Sequence, residues 1–454
     1  MVIKKKYVRA LSPQAGLALS FMLVILLGTA LLSLPVSSKA GPVPFIDALF
    51  TAASATCVTG LIVVDTNSYW STFGHIIILC LIQIGGLGTM TFSSFVVLLV
   101  GRRLGIWDRQ VLEQSFTGAA RKSLIQLLWV AFLLTFLLEG VGAIILSCRF
   151  AEDHAVGQAI YLGVFHSISA FCNAGFSLFE ANLLHHRGDF IINITIMTLI
   201  VLGGLGFWVI FDLKNLIGRK NKIRSASLHT RLVVRVTFFL ISAGCIALLL
   251  LEWHSALRGL PIAEKVMAAL FQSITARTAG FNTLDIPSLA NGSIFILLIL
   301  MIIGASPGSC GGGIKTTTFA VVLAMIYARL RNQKQVQFFK RGIPDATVSN
   351  AIGIAAAAFV IVSTMCLLLM ITESSTHALM PQRTLFVAVF FETISAIGTV
   401  GLSMGLTPVL SLAGKIIIVL LMYVGRIGPV TLTLALAGVH ARNLRYAEDN
   451  IWVG

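Results

Sequence analysis

Four stretches of the chain repeat one local pattern, and this repetition restricts the possible folds more than any other feature. Each stretch starts with a short apolar segment that carries small polar residues, continues through an extended tripeptide and ends at a glycine. The four read DALFTAASATCVTGL (47–61), GVFHSISAFCNAGFSLF (163–179), AALFQSITARTAGFNTL (268–284) and VFFETISAIGTVGLS (389–403). The third copy is one residue shorter between its Phe and its Gly. Such internal repeats indicate that one structural unit recurs along the chain.

The segments around these copies are apolar enough to cross a membrane. The chain has 454 residues, of which 57% are hydrophobic and 11% charged, whereas a soluble domain carries roughly a quarter charged residues. A spanning helix needs about 20 apolar residues. Eight stretches reach or approach that length: 16–36, 73–100, 123–147, 190–213, 232–251, 293–328 (with a break), 350–371 and 414–438. We interpret the first as a spanning helix and not a signal peptide, because its apolar run is long and no clean cleavage site follows.

The repeated unit is predicted to be a span, a short re-entrant helix, an extended loop and a second span. A second glycine-containing motif recurs in the later span of each unit, at IGGLG (84–88), LGGLG (202–206), the loop 304–318 and VGRIG (424–428). The predicted fold is therefore an all-α polytopic membrane protein with four pseudosymmetric repeats around one ion pore. The predicted divisions are the N-terminus 1–14, repeats at 15–101, 102–218, 219–332 and 333–440, and the C-terminus 441–454.

The net charge of +15 is explained by topology and not by a nucleic-acid partner. Basic residues cluster at 4–9, 102–122, 214–235, 329–341 and at Arg442 and Arg445, always after an even number of predicted spans. The positive-inside rule then places these clusters and both termini in the cytoplasm. The opposite loops are mildly acidic, at Asp65, Glu152, Asp153, Glu180, Asp285 and Glu373. Acidic loops raise the local cation concentration modestly.

Four irregular loops at membrane depth predict a pore, because non-helical backbone survives there only where it is buried or lines a watery cavity. The C-terminal end of each re-entrant helix would carry about half a negative charge toward the centre, which favours a cation. The loops contain no carboxylate, and rings of carbonyl oxygens suit a dehydrated monovalent ion. The predicted filter comprises Cys57, Val58, Thr59 and Gly60; Cys172, Asn173, Ala174 and Gly175; Thr278, Ala279 and Gly280; and Thr399, Val400 and Gly401.

The stretch GASPGSCGGGIKTTT (304–318) has the look of a nucleotide-binding loop, but its spacing and context disagree. Ile314 separates Gly313 from Lys315, so the phosphate-loop spacing is missed by one residue. That motif also follows a strand and opens a helix in a soluble domain, whereas this stretch interrupts two apolar runs. We interpret it as a glycine-rich break inside a membrane segment.

With GGGIKTTT, VGRIGP and the four glycine motifs, the chain resembles the Trk/Ktr/HKT superfamily of potassium transporters over nearly its whole length. Because one span precedes the first pore loop, the resemblance is closest to the membrane subunits of Ktr-type systems (KtrB-like). It implies a homodimer in the inner (plasma) membrane that rests on a cytoplasmic ring of nucleotide-binding regulatory subunits (KtrA-like). It also implies potassium uptake that sodium can stimulate, with the nucleotide bound by the partner and not by this chain.

In that superfamily the segment matching 304–318 is a flexible loop under the filter that acts as the gate. The resemblance therefore implies that the gate includes Gly304, Ser306, Ser309, Gly311, Gly312, Gly313, Lys315 and Thr316. Arg426 lies inside the last span, where a charge is costly and usually functional. We expect an electrostatic barrier or latch beside the gate, with a structural arginine on backbone carbonyls as the alternative. Lys315 either caps helix carbonyls in the closed loop or extends to the inner surface.

Other polar residues near the loops are expected to be structural. Arg277 is predicted to turn outward behind the third loop, onto a carboxylate or carbonyls. Thr51, His166, Gln272 and Glu392 occupy matching positions, which favours hydrogen bonds behind the filter. Glu139 is either a proton or sodium relay or a satisfied buried carboxyl. The seven cysteines show neither zinc-ligand nor disulfide spacing.

Three other functions remain to be weighed against potassium uptake. The nearest is a sodium-preferring or sodium-coupled cation symporter. A membrane-embedded enzyme would need a convergent nucleophile, base or metal cluster, and the sequence offers none. A structural scaffold would not require four loops that each end in glycine.

Overall fold

The computed structural model describes residues 13–39, 41–88, 121–214, 226–376 and 381–428. Several predicted features lie outside these residues. They are most of the N-terminal segment, the C-terminal parts of the predicted spans 73–100 and 414–438, much of the basic clusters 102–122 and 214–235, and the C-terminal segment with Arg442 and Arg445.

One succession of elements occurs four times along the described chain: a long helix, a shorter helix, an extended loop and a further helix. The first set is α1 (Pro13–Leu32), α2 (Phe45–Thr56), α3 (Thr66–Tyr69) and α4 (Thr72–Leu87). The second is α5 (Arg121–Phe150), α6 (Val156–Phe171), α7 (Phe190–Leu205) and α8 (Phe207–Lys214). The third is α9 (Leu228–Glu252), α10 (Ile262–Thr275), α11 (Asn291–Ile302) and α12 (Thr316–Leu330). The fourth is α13 (Asp345–Thr376), α14 (Gln382–Gly398) and α15 (Leu412–Ile427).

The long helices α1, α5, α9 and α13 have the length and apolar composition needed to cross a membrane. They overlap the predicted spans 16–36, 123–147, 232–251 and 350–371. Within the described residues, α7 and α8 add a fifth span if the bent pair is counted as one. The total of eight spans stays a prediction.

The later helix of each set is interrupted, or ends, at its glycine-containing motif. The structure shows more such interruptions than we predicted. We predicted a break only in the third set, where α11 ends at Ile302 and α12 begins at Thr316. In the second set, however, α7 and α8 meet at an angle of 96° around Gly206, so 190–213 is not one straight span. The helices α4 and α15 end before Gly88 and Gly428. All three glycines have positive φ, which is open to residues without a Cβ.

In the second, third and fourth sets, polar groups tie the C-terminal end of the long helix to the start of the later helix. The contacts are Arg149 Nε to Asp189 at 2.6 Å, the Ala290 N–H to Glu252 at 2.9 Å, and the Ser411 N–H to Glu373 at 3.1 Å. Charge-assisted contacts of this kind are stronger than neutral hydrogen bonds. They hold the two membrane helices of one set at a defined spacing around the loop between them.

The shorter helices α2, α6, α10 and α14 occupy the interior. Their aligned phenylalanines, Phe50, Phe165, Phe271 and Phe391, are all fully buried. A membrane-exposed helix would show an apolar outer face, whereas these helices bury small and polar residues together with the phenylalanines. Their position aims four helix C-termini at the four repeated loops.

A short antiparallel hairpin was not predicted by the sequence pattern. It pairs β1 (Gln337–Phe338) with β2 (Arg341–Gly342) in the basic connection after α12. The ring of Phe339 at its turn lies 4.2 Å from the guanidinium carbon of Arg235, a cation–π contact. The hairpin therefore packs against the start of α9.

Candidate functional site

The four repeated loops share one backbone path. The glycines have φ of +89° at Gly60, +71° at Gly175, +78° at Gly280 and +91° at Gly401. Two residues earlier, φ is again positive, at +56° for Val58, +60° for Asn173, +69° for Thr278 and +49° for Thr399. The left-handed conformation costs a residue with a side chain roughly 1–2 kcal/mol. Four residues with side chains therefore hold an unfavourable conformation that the surrounding structure must maintain.

The loops meet in a closed cycle. A Cβ placed on Gly175 would lie 2.7 Å from the carbonyl oxygen of Ala279, and one on Gly280 would lie 2.6 Å from that of Val400. Around the rest of the cycle, the neighbours of Gly60 and Gly401 are the carbonyl oxygens of Ala174 and Thr59. Each glycine thus contacts the next copy in chain order, and the fourth contacts the first. We call this arrangement the glycine ring; only glycine fits at its four contact points.

The backbone N–H groups of the ring point back toward the short helices. The residue before each glycine donates to a carbonyl in the last turn of its helix: Thr59 to Ser54 at 2.8 Å, Ala174 to Ser169 at 2.7 Å, Ala279 to Thr275 at 3.0 Å, and Val400 to Ser395 at 2.8 Å. Among the described residues, no hydrogen bond uses the carbonyl oxygens of those four donors. These four residues therefore keep their carbonyl acceptors available for a ligand while their own N–H groups are occupied, which suits a cation and not an anion.

A hydroxyl in the last turn of each short helix holds its loop, and our sequence reasoning missed these residues. Ser54 accepts from the Gly60 N–H and Ser395 from the Gly401 N–H, both at 3.1 Å. Ser169 donates to the Phe176 carbonyl at 2.8 Å, and Thr275 donates to the Phe281 carbonyl at 2.6 Å. The signal was present in the sequence as a Ser-Ala or Thr-Ala pair five or six residues before each glycine.

The backbone resolves the alignment of the shortened third loop. Thr278, Ala279 and Gly280 have the same φ pattern as the other three triplets. The one-residue difference lies at the end of the short helix. The Ala279 N–H donates to the carbonyl of Thr275, four residues earlier, whereas the matching N–H groups of the other three loops donate to a carbonyl five residues earlier. The deletion therefore tightens one turn and leaves the glycine in register.

The matched polar positions behind the loops are hydrogen-bonded as expected in two copies. His166 accepts from the Leu178 N–H at 3.3 Å, and its Nε2 lies 3.0 Å from the Ser177 hydroxyl. The carboxylate of Glu392 accepts from the Ser403 hydroxyl at 2.5 Å, from the Met404 N–H at 3.1 Å and from the Thr407 hydroxyl at 2.7 Å. In the third copy, neither polar side-chain atom of Gln272 has a hydrogen-bond partner within the described chain.

Arg277 does not point into the ring. Its side chain is buried, and its Nη2 lies 3.5 Å from the Thr237 hydroxyl on α9, behind the loop. The outward direction that we predicted is confirmed, although the observed contact is a hydroxyl and not a carboxylate or carbonyl. The guanidinium charge is therefore kept away from the ring.

The predicted cysteines end helices and do not form the positive-φ triplets. Cys57 and Cys172 are the C-caps of α2 and α6 and are fully buried. The Cys172 thiol lies 3.7 Å from the carboxyl of Glu139, which also accepts from the Gln83 amide at 3.2 Å. Of our two readings for Glu139, these contacts support the satisfied buried carboxyl.

One face of the glycine ring opens to a cavity of about 290 Å³. All four ring glycines line it, together with the acidic residues Asp65, Glu180 and Asp285. No basic residue of the described chain lines this cavity. Phe179 is part of its wall, and the imidazole of His186 packs against Phe179. Burial lowers the pKa of His186, which disfavours its charged form. The cavity therefore has a negative electrostatic potential that attracts cations.

The loop between α11 and α12 packs against the other face of the ring. The Gly312 N–H donates to the Thr399 hydroxyl at 3.1 Å, and a Cβ on Gly311 would meet the side chain of Thr278. We call residues 303–315 the cross loop. It lies directly against Thr278 and Thr399, the ring residues two positions before Gly280 and Gly401.

The cross loop is docked at the bend between α7 and α8. The Ser306 and Cys310 N–H groups donate to the carbonyls of Gly204 and Gly203, each at 3.1 Å. The Phe207 N–H donates in return to the Gly308 carbonyl at 2.9 Å. The bend that the sequence did not predict therefore exposes backbone groups that hold the loop.

Hydroxyls within the cross loop stabilise its own fold. Ser306 and the first residue of α12, Thr316, lie 3.0 Å apart through their hydroxyls, and both are buried. The Ser309 hydroxyl donates to the Ser306 carbonyl at 2.6 Å. The Gly304 N–H donates to the Ile314 carbonyl at 2.9 Å, which closes the base of the loop.

Two cations hold the underside of the cross loop. Arg426 on α15 donates to the Cys310 carbonyl of the loop and also to the Gly85 and Gly86 carbonyls at the end of α4. The Lys315 ammonium donates to the Gly311 carbonyl at 2.8 Å. Both side chains line a cavity of about 160 Å³ on this side of the loop. We expected Lys315 either to cap helix carbonyls or to extend to the inner surface; its acceptor is instead a carbonyl of the cross loop itself.

The chain is thus a multi-pass helical membrane protein in which four irregular loops converge on one axis and a fifth crosses it. Irregular backbone at membrane depth is found in the selectivity filters of channels and the broken helices of transporters, where it is buried in protein or lines a water-filled cavity.

Comparisons with known proteins also place the chain among membrane transport proteins. The sequence pattern of TrkH, described as a cation transport protein, matches residues 5–443. The Ktr system potassium uptake protein B of Bacillus subtilis is 40% identical over 99% of this chain and 98% of its own length. The potassium/sodium uptake protein NtpJ of Enterococcus hirae is 33% identical over the full length of both chains. The chain therefore belongs to the TrkH family of cation transport proteins, and it is a transporter and not an enzyme.

A solved structure has the same fold. The crystal structure of the potassium transporter TrkH from Vibrio parahaemolyticus superposes with a TM-score of 0.71 and covers 95% of this chain and 86% of its own. Its sequence identity is 18%, so the likeness concerns the fold.

Proposed function

We propose that this protein conducts potassium into the cell through the glycine ring. The observation that carries the proposal is the closed cycle in which N–H groups bond backward and four carbonyl oxygens remain available. Carbonyl oxygens replace the hydration shell of a monovalent cation. The acidic cavity above the ring supplies cations to it. Relatives named for potassium uptake at 40% and 39% identity support this choice of ion.

Transport in this scheme needs no chemical energy from the chain itself. A charge that crosses 100 mV of membrane potential gains about 2.3 kcal/mol, and an inside-negative potential drives potassium inward. The filter is formed by residues 57–60, 172–175, 278–280 and 399–401. The ion is the cargo of the protein and not a resident cofactor.

The cross loop is the proposed gate. It lies under Thr278 and Thr399, so an ion leaving the ring meets it directly. Gly304, Ser306, Ser309, Gly311, Gly312, Gly313, Lys315 and Thr316 form or close the loop, and Arg426 holds it from below. Opening requires the loop to leave Thr399 and the carbonyls at the bend of α7 and α8, whose hydrogen bonds are individually weak.

The membrane arrangement is proposed to comprise eight spans in four repeats, at 15–101, 102–218, 219–332 and 333–440. The terminal segments 1–14 and 441–454 would both be cytoplasmic. The positive-inside pattern of basic residues supports this orientation.

The proposed assembly is a homodimer bound to a cytoplasmic ring of nucleotide-binding regulatory subunits. Two relatives are named as parts of Ktr systems, which supports a multi-component arrangement. The nucleotide would bind the ring, and binding there would shift the position of the cross loop. The hairpin β1–β2 in a basic connection offers one cytoplasmic contact surface for such a partner.

Sodium is the second candidate ion, either as a stimulator or as the preferred cargo. One full-length relative is named a potassium/sodium uptake protein. The four ring triplets differ in side chains, so the ring is not a uniform fourfold site. Dependence of rubidium uptake on external sodium separates the two forms of the proposal.

The test is rubidium uptake at low potassium in bacteria without their own potassium uptake systems, with and without a nucleotide-binding regulatory subunit. Gly280→Ser is expected to lose uptake, since its Cβ would lie 2.6 Å from the Val400 carbonyl oxygen. Gly259→Ser is the matched control: its φ of +81° is similar, but nothing lies within 4 Å of a Cβ there. Absence of rubidium uptake by wild type, with the protein present in the membrane, would refute the potassium proposal and favour sodium.

A further inference from the structure

A third cavity lies to the side of the ion path and is not explained by conduction. It has a volume of about 400 Å³ and lies between α12, α13 and α14. No charged side chain of the described residues lines it, and the hydroxyls of Thr318 and Ser363 are its only polar side-chain groups. Its size falls within the range of roughly 300–1,000 Å³ that is usual for small-molecule sites.

The inner wall of this cavity is the cross loop itself. Gly313 and Ile314 of the loop line it, as do Ile397 and Gly398 at the end of α14. Phe319 on α12 completes this wall. A molecule in the cavity would therefore contact both the loop that blocks the ring and the helix end that supports the fourth ring triplet.

The mouth of the cavity faces the bilayer. Phe359 on α13 and Ile302 at the end of α11 line it and are 73% and 39% exposed. Only 17% of the apolar stretch of α13 is buried inside the protein. In a membrane, these exposed apolar side chains lie in hydrocarbon, so the cavity is continuous with the lipid phase and not with water.

Neither water nor empty space suits such a cavity. An ordered water needs about two to four polar partners, and the side chains that line the cavity offer only the hydroxyls of Thr318 and Ser363. An empty apolar cavity leaves the surrounding atoms without dispersion contacts. Methylene groups provide those contacts and lose no hydrogen bonds, and the bilayer supplies them at high concentration.

We propose that this cavity binds one acyl chain of a bilayer phospholipid, which packs against Ile314 and Phe319 on the side of the cross loop. The recess is concave, so a slender flexible chain fills it, whereas the flat face of a helix from a second copy would only close its mouth. The bound chain supports the loop in its position under the ring. This site is separate from the glycine ring and does not depend on which ion passes.

The experiment is photo-crosslinking in nanodiscs made with phosphatidylcholine that carries a diazirine on its acyl chain. Wild-type protein is irradiated and digested, and lipid adducts are located by mass spectrometry. Adducts are expected on the peptides that contain Ile314 and Phe319 as well as on the exposed face of α13. Ala358→Trp, at a buried lining position, is expected to remove at least nine-tenths of the adducts at Ile314 and Phe319.

Leu367→Trp is the matched control, because Leu367 is on the same helix, is 62% exposed and does not line the cavity. It should leave the adducts at Ile314 and Phe319 unchanged. Wild-type protein with adducts on α13 but none on the inner wall would overturn the proposal, and this result needs no variant to fold. Inner-wall adducts that persist in a monodisperse Ala358→Trp protein would also overturn it. A disulfide between two copies of Phe359→Cys, without inner-wall adducts, would assign the mouth to a second copy.

Discussion

Arg426 gives the sharpest test of the proposed gate, because one side chain bridges three elements. Its guanidinium donates to the Cys310 carbonyl in the cross loop and to the Gly85 and Gly86 carbonyls at the end of α4. If the loop moves to open the path, the contact with Cys310 breaks while those with α4 can remain. We expect Arg426→Gln to favour the open position of the loop.

The magnitude follows from that single contact. A hydrogen bond from a charged group contributes about 1.5–3 kcal/mol, and the bond to Cys310 is the one that opening breaks. A loss of about 2 kcal/mol changes the ratio of closed to open loop about 30-fold, at roughly 1.4 kcal/mol for each factor of ten. In the closed position of the variant, the neutral bonds of Ser306 and Cys310 to the bend of α7 and α8 are unchanged, so the closed loop can still form.

The assay is rubidium flux into proteoliposomes that contain the membrane protein without its regulatory partner. Arg426→Gln should raise the flux by up to about 30-fold if the closed loop predominates in wild type. Arg426→Lys is the control that separates latch from barrier. It keeps the charge, but a single ammonium cannot reproduce the fork that reaches the cross loop and the end of α4 together, so it should also raise the flux.

Two results would refute this reasoning. Unchanged or reduced flux in a monodisperse Arg426→Gln protein would show that Arg426 does not hold the loop closed. Wild-type flux in Arg426→Lys together with high flux in Arg426→Gln would show that the positive charge itself is the barrier. The second result would keep the loop as the gate but remove the latch.

Three further predictions concern the framework of the ring, each measured as the midpoint of thermal inactivation in detergent. Glu392→Gln should lower the midpoint clearly, because a neutral amide accepts more weakly from its three donors; an unchanged midpoint would contradict the network. Ser395→Ala should cost about 1 kcal/mol by removing the acceptor of the Gly401 N–H; an unchanged midpoint would show that this hydrogen bond does not stabilise the loop. Lys415→Met should destabilise by leaving Asp47 without its partner at 2.7 Å, and Asp47→Leu added to it should recover stability; additive losses would rule out coupling.

Much of this protein follows from local patterns in its sequence. Apolar length predicted the long helices α1, α5, α9 and α13 because a helix that contacts lipid must be apolar along its whole length. The recurrent glycines predicted the ring because no other residue tolerates positive φ without strain. The outward direction of Arg277 also followed from charge alone, since a cation in the ring would repel the ion.

The tertiary structure decided what depends on contacts between distant segments. The 96° bend at Gly206 is matched to the cross loop about a hundred residues later, and the hydropathy of 190–213 contains no sign of it. The partners of Arg426 lie up to 341 residues away, so no spacing rule could name them. The apolar cavity beside the cross loop lies where α12, α13 and α14 do not pack tightly against one another, so it depends on their tertiary arrangement. Local sequence determines which segments form helices. The course of the loops between them depends on which backbone N–H and C=O groups still lack hydrogen-bond partners once the helices pack together.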